Sequence, residues 1–430
     1  MRTNIFLFLG LTLAARAELH PLTLRQAVQL ALQQNSDIVL ARLDEQRARD
    51  SVRVAKDPFV PKLYGGSGLA KTWGFPATID GNAPSIFEAR SKMAIFNRPK
   101  SYELAEARES ARGAAIGTQG KSEEVAYQAA SLFLDIEQLI RSQESLQREL
   151  EALARVREST LARISEGREI PLEGKRAELN LARARQRVEA LQTDLDYSEA
   201  SLAVILGFPP SDRVQPVEPV EATNPALPEI PETPAAAVST ALANSKELRQ
   251  LESEMQAKGL QVRGFSSYRL PQLDLVAQYS LFSTFNNFQN YFNRFQRNNA
   301  ELGVSIQVPL LVGSAAAGYR AQAEDEVAKL RTQVQAARSR IALDTTRSYQ
   351  EWQKAQSGAE VSRLDLDVAR EQVSVLLAQL AEGRVPQQSV DQARLTEQEK
   401  WIAFYAAQHL AKRARFVILR QTGTLLAELR

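Results

Sequence analysis

The chain has 430 residues, 53 Lys and Arg against 51 Asp and Glu for a net charge of +2, and no cysteine. The near balance leaves no basic field for nucleic acid, and the lack of thiols excludes disulfides, thiolate metal sites, a thiol nucleophile and a lipid anchor on an N-terminal cysteine. The two histidines, His20 and His409, are far apart and cannot alone build a metal site.

Residues 1–17 read as a signal peptide: Arg2 as the positive start, Ile5 to Leu13 as the apolar run, Ala15-Arg16-Ala17 as the cleavage site. That run falls far short of the roughly 20 apolar residues of a transmembrane helix. No later segment is apolar enough to span a bilayer as a helix, so any crossing must be made by strands.

Leu22 to Lys56 reads as one helix, with Thr23 as N-cap and Pro58 and Pro61 closing it. Two strands follow, Lys62–Phe75 and Ser85–Phe96, around the turn-rich Thr78–Pro84. Alternation puts Phe87, Ala89, Ser91, Met93 and Ile95 on one face. From Lys100 to Arg163 there is no proline. Ala129, Leu132, Ile136, Leu139, Leu146, Leu150 and Leu153 mark a coiled-coil seam on a helix of about 64 residues, about 95 Å long. Gly113, Gly117 and Gly120 predict a kink or frayed turn near Gly117. Ser165–Leu172 reverses the chain into a second helix, its stripe carried by Val188, Leu191, Leu195, Leu202 and Ile205. Between Pro209 and Pro234 lie eight of the 18 prolines, an extended connector.

The order then repeats. At an offset of 210, Ala27-Val28 falls on Ala237-Val238, Ala31-Leu32 on Ala241-Leu242, and Pro61 on Pro271. At an offset of 216, after an inserted stretch within Asn286–Asn299, Glu166-Gly167-Arg168 falls on Glu382-Gly383-Arg384 and Gly207 on Gly423. The chain is an internal duplication. Its parts are a first repeat at 18–208 (β-hairpin 62–96, helical hairpin 100–206), the connector at 209–234, and a second repeat at 235–430 (β-hairpin 272–312, helical hairpin 314–429). Leu273, Leu275, Ala277, Tyr279 and Leu281 alternate, as do Leu302, Val304, Ile306, Val308 and Leu310. Val327, Leu330, Val334, Ala337 and Ile341 mark the second seam.

Four strands cannot close a barrel, and an open edge is not tolerated in lipid. Nor can two long hairpins bury their seams alone. Symmetric association solves both deficits, and three copies would pool twelve strands. The fold class is thus α+β: long coiled-coil hairpins that would pool into a helical cylinder, plus four strands per chain that would pool into a shared transmembrane β-barrel.

The LTLxxAVxxALxxN pattern at Leu22–Asn35, the Val308-Pro309-Leu310 to Gly313 stretch before a long helix, the Gly turns, the LGxPP end at Leu206–Pro210 and the twofold repeat together resemble the outer-membrane efflux channel family, the TolC-like proteins. The resemblance implies a homotrimer in the outer membrane reaching into the periplasm, a passive and non-enzymatic channel of a tripartite efflux or type I secretion system. It implies a periplasmic adaptor (a membrane fusion protein), an inner-membrane pump of RND, ABC or MFS type, outer-membrane lipid as surroundings, and neither cofactor, metal nor nucleic acid. It places a gate and an adaptor contact at the hairpin tips. Family members carry acids six and nine residues after the second-repeat glycine; here those positions are Ser389 and Gln392, with Asp391 beside them. The gate candidates are therefore Glu382, Arg384, Ser389, Asp391, Gln392 and, in the first repeat, Glu173. The adaptor-contact candidates are Glu166, Gly167, Arg168, Glu382, Gly383 and Arg384. Solvated turn charges are the plain alternative for the charged four. A periplasmic coiled-coil adaptor or scaffold is the alternative for the whole chain, though it needs neither alternating strands nor a duplication. The aromatic loop Phe285–Phe295 reads as an interfacial girdle or extracellular loop, with a ligand platform as the alternative.

Overall fold

A computed structural model describes residues 18–68, 85–217, 230–282, 296–310 and 312–429. The expected leader at 1–17, the turn Thr78–Pro84, the aromatic loop and residues 218–229 of the connector lie outside the described residues. Two compact units emerge, and neither is a sequence repeat. One comprises Met1–Leu40, Gln119–Ser245 and Arg338–Arg430; the other comprises Ala41–Thr118 and Lys246–Ala337.

In the first unit, β1 (Leu19–Leu22) pairs in parallel with β4 (Arg213–Pro216), Leu19 opposite Arg213. Helix α1 (Leu24–Gln34) starts at Thr23 with a full capping box: the Thr23 hydroxyl accepts from Gln26 N–H, and the Gln26 amide accepts from Thr23 N–H. The expected single helix to Lys56 is instead two. The backbone turns out of the helix at Asn35 (ψ 129°), and α2 resumes at Ser36–Lys56. Asn35 explains the break, because its side chain caps the freed start of α2 and also satisfies the last carbonyl of α4 (Pro171–Ile205). Its Nδ2 donates to Ile205 O at 3.0 Å and its Oδ1 accepts from Asp37 N at 2.9 Å. The second repeat breaks at the matching place, between α5 (Pro234–Asn244) and α6 (Lys246–Ser266), with Ser245 at ψ 117°.

The long helices are α3 (Arg98–Ser165), α4 (Pro171–Ile205), α7 (Ala315–Ala381) and α8 (Gln387–Thr422), followed by the short α9 (Leu425–Leu429). Of the expected seams, Ala129, Ile136, Leu146 and Leu153 on α3, Leu195 and Leu202 on α4, and Leu330, Val334, Ala337 and Ile341 on α7 are buried, while Leu132, Leu139, Leu150, Val188, Leu191, Ile205 and Val327 are half-buried. Around Phe133, Ile136, Leu202, Leu206 and Leu419 the first unit has its main core, into which α1 sends Ala27, Val28 and Ala31. Each large side chain fully buried there contributes roughly 1.5–3 kcal/mol relative to exposure.

In the second unit, β2 (Lys62–Gly68), β3 (Ser85–Phe96), β5 (Gln272–Phe282) and β6 (Asn298–Gln307) form one antiparallel sheet in the order β2-β3-β5-β6. The middle pairing, β3 with β5, joins the two repeats. Here too the expected fray near Gly117 is absent, because α3 runs unbroken past it. Gly113 and Gly117 instead let α6 approach. A Cβ on Gly113 would lie 3.2 Å from Ser253 Oγ, and one on Gly117 3.3 Å from Gln250 Oε1. Close packing, not backbone freedom, accounts for these two glycines.

Candidate functional site

Both hairpins turn through the same local chemistry. At the first tip Gly167 takes φ 72°, its N–H bonds Ile164 O at 3.0 Å, and Arg168 N–H bonds Arg163 O at 2.9 Å. At the second, Gly383 takes φ 72°, its N–H bonds Leu380 O at 2.9 Å, and Arg384 N–H bonds Gln379 O at 2.9 Å. This is the Schellman closure, in which a left-handed residue frees two amides to satisfy the last carbonyls. A side chain bearing Cβ is strained there, so both glycines are set by the turn. The motif recurs at Gly207 and Gly423, where α4 and α8 end.

The charged tip residues are neutralised within their own turns. Glu166 pairs with Arg168 at 3.1 Å, Glu382 with Arg384 at 2.9 Å, and Glu173 with Arg176 at 2.5 Å. Asp391 accepts from Gln387 Nε2 at 2.9 Å. Ser389 is half-buried, with its N–H on Pro386 O, while Gln392 is exposed, its carbonyl accepting from Thr396 Oγ1. Ion pairs thus join Glu166 with Arg168 and Glu382 with Arg384, while Glu173, Ser389, Asp391 and Gln392 bond to neighbours on, or capping, their own helices. Among the described residues, no hydrogen bond or ion pair joins Glu173 to the second-hairpin set. Exposed pairs of this kind are worth roughly 0–1 kcal/mol each.

Two constellations escaped the sequence. On facing stretches of α3 and α8, His409 Nε2 meets Asp135 Oδ1 at 2.7 Å, Arg413 reaches the same oxygen at 3.5 Å, and Glu137 takes Arg141 at 2.8 Å and Lys412 at 3.5 Å. Burial pushes the Lys412 ammonium below its usual range, and the Glu137 carboxylate works against that shift. In the second constellation His20 stacks on Phe208 with ring centroids 4.1 Å apart and meets Asp212 Oδ2 at 3.1 Å. The His20 hydrogen bond holds the Asp212 carboxyl below the usual carboxylate range, helped by Glu18 N–H and the Ser211 hydroxyl. These partners lie 274 and 192 positions apart, so no local spacing announces them.

The sheet separates its residues by face. On one, Leu63 lies opposite Ser91, Met93 opposite Leu275 opposite Val304, and Ala277 opposite Leu302. On the other, Tyr64 lies opposite Arg90, Arg90 opposite Gln278, and Gln278 opposite Glu301, with Lys92 and Asp274 paired at 2.9 Å. All charges of the four strands lie on this second face. The outer edges of β2 and β6 have no partner strand among the described residues. The helices are incomplete in the same sense. Val361, Leu364, Val368 and Val375 form an exposed heptad stripe on α7, separate from its buried Leu366, Ala369 and Val373. Leu172, Leu179, Tyr197 and Val204 stand exposed along α4.

Among the described residues, no group of His, Asp and Glu could hold a metal ion, and no helix is long and apolar enough to cross a membrane.

The pattern that defines the outer membrane efflux proteins matches residues 27–208. No curated relative matches the sequence. Among solved structures, a membrane protein from Pseudomonas aeruginosa superposes with a TM-score of 0.75 at 14% identity, covering 93% of each chain. The outer membrane protein VceC of Vibrio cholerae gives 0.72 at 14% identity over 93% of this chain and 96% of its own. The open state of the MtrE outer membrane channel of Neisseria gonorrhoeae gives 0.71 at 13% identity over 94% and 89%.

Proposed function

We infer that this chain, an outer membrane efflux protein over residues 27–208 with the fold of such channels along its length, is one protomer of a passive conduit through the outer membrane. The observation that carries the reading is the sheet. Its four strands are uncharged on one face, charged on the other and, among the described residues, unpartnered at both edges, which is what a segment of a water-filled transmembrane barrel requires. A homotrimer would give twelve strands, enough for an aqueous lumen. Symmetric copies would also cover the exposed stripes of α4 and α7 and close the helices into a second barrel. A lone periplasmic adaptor gives no reason for a sheet with one uncharged face.

In this conduit the hairpin tips form the periplasmic end. Glu382, Arg384, Ser389, Asp391, Gln392 and Glu173 line the gate there. The Glu166-Gly167-Arg168 and Glu382-Gly383-Arg384 turns meet a periplasmic adaptor, which couples the channel to an inner-membrane pump. The energy and much of the selectivity then belong to those partners, and the chain performs no chemistry. Mass measurement and cross-linking of the detergent-solubilised protein test the core of this reading. A trimer that conducts in planar bilayers supports it; a stable monomer refutes it.

A further inference from the structure

The uncharged face of the sheet has a cationic border at one end, where β3 finishes and β5 begins. Phe96 lies opposite Leu273 on that face, and the guanidinium of Arg98 sits 5.7 Å from the centre of the Phe96 ring. Asn97 Nδ2 donates to Gln272 Oε1 at 3.1 Å, tying the end of β3 to the start of β5. Just before β5 comes Arg269, exposed between the exposed Tyr268 and Leu270. The other cations nearby already have carboxylates: Lys62 has Asp57, Lys92 has Asp274, and Lys100 has Glu103. Among the described residues neither Arg98 nor Arg269 has a carboxylate within 4.0 Å. At the opposite end of the sheet Arg297 differs, because its Nε donates to Phe282 O at 2.9 Å.

We propose that Arg98 and Arg269 bind the phosphate of an anionic glycerophospholipid, in the leaflet that meets the helix end of the strands. The proposal rests on the transmembrane reading of the sheet and adds the chemistry of its surroundings. Acyl chains suit the uncharged face, on which no cation or anion interrupts the apolar surface. A phosphate suits the border, because a guanidinium offers paired N–H donors to its oxygens. The Phe96 ring helps orient one guanidinium from below, leaving its N–H edge for the ligand. A carboxylate of a second copy is the rival occupant, and it predicts a different result.

The test uses the full chain in vesicles of mixed phosphatidylglycerol and phosphatidylcholine at low salt. Flotation first establishes insertion, and the lipids retained after extraction are then quantified. At roughly 1 kcal/mol per basic residue at an anionic surface, each arginine should enrich phosphatidylglycerol about fivefold over phosphatidylcholine. The R98Q/R269Q double variant should still insert and retain the two lipids near parity, while R98K/R269K recovers part of the preference. Insertion of the wild type without any preference, or equal preference in the double variant, overturns the lipid site and leaves the conduit intact. Loss of the oligomer in the double variant with lipid preference unchanged assigns the arginines to a subunit contact and also overturns it. A wild type that does not enter vesicles refutes the conduit and this site together.

Discussion

Among the described residues four glycines adopt left-handed conformations at helix ends, and their surroundings split them into two pairs. Gly167 and Gly383, both at φ 72°, have nothing within 4 Å of where a Cβ would lie. Gly207 (φ 86°) and Gly423 (φ 72°) are crowded: a Cβ would lie 3.0 Å from Gln34 Cβ in the first case and 2.9 Å from Asn244 Cβ in the second. Alanine at the tips should therefore cost only the left-handed strain, about 1–2 kcal/mol. Alanine at Gly207 or Gly423 adds overpacking of about 1–3 kcal/mol, because the contacts are with the first carbon of a helical residue and, at Gly207, with Gln34 O at 3.3 Å. Thermal unfolding followed by far-ultraviolet circular dichroism in detergent would rank the four variants. The ranking matters more than any single midpoint, since a chain of two units need not unfold in one step. Asparagine separates the two causes, because it tolerates positive φ but still carries a Cβ. Gly383→Asn should fall near wild type, and Gly423→Asn should stay damaged. If all four alanine variants lose equally, or asparagine rescues Gly423, the close approach of these helix ends is not what selects glycine there.

Asn35→Ala should lower stability by about 0.5–2 kcal/mol, the usual loss for a helix cap, read from the same unfolding midpoint; no change would mean that the α1–α2 break does not depend on its two hydrogen bonds. Asp212 has a folded-state pKa held below its ordinary value, so its stabilising contribution is present above the ordinary carboxylate range and is lost as pH falls through the lowered folded value. Asp212→Asn should release β1 at neutral pH, seen as faster hydrogen exchange at Leu19–Leu22. Unchanged exchange would show that the strand pairing alone holds β1. Arg384→Ala with Asp391→Ala should raise single-channel conductance in planar bilayers, and a double variant as closed as the wild type would move the gate elsewhere.

The features legible in the sequence were those with a short period or a local chemical signature. Heptads fixed the buried seams of α3, α4 and α7, alternation marked the strands of the sheet, and Thr23, Gly167 and Gly383 announced a cap and two turns. The break at Asn35 was hidden because Leu22 to Lys56 keeps helical periodicity on both sides, and its cause is a carbonyl at Ile205, far along the chain. Gly113 and Gly117 looked like weak points of a helix because the Ser253 and Gln250 that they accommodate arrive from the other repeat. Strands β1 and β4 are four residues each and contain proline, too short to alternate visibly. The charge cluster of Asp135, Glu137, His409 and Lys412 joins helices of opposite repeats, and each half reads alone as an ordinary solvated helix face.

The central pairing of the sheet sets the order in which this protein can be made. Ala89 lies opposite Tyr279, about 190 residues later, so β3 has no permanent neighbour on that side until more than half of the chain has emerged. The loop-closure entropy grows only slowly with length, by about 0.6 kcal/mol per doubling, but the wait is long and a strand edge stays open throughout. High contact order makes such a sheet a late event, and the helices, built on local contacts, form before it. The uncharged face of β3 therefore waits without its β5 neighbour while the intervening chain is made. A chain truncated before Gln272 would keep its β2–β3 hairpin and have nothing to pair with it.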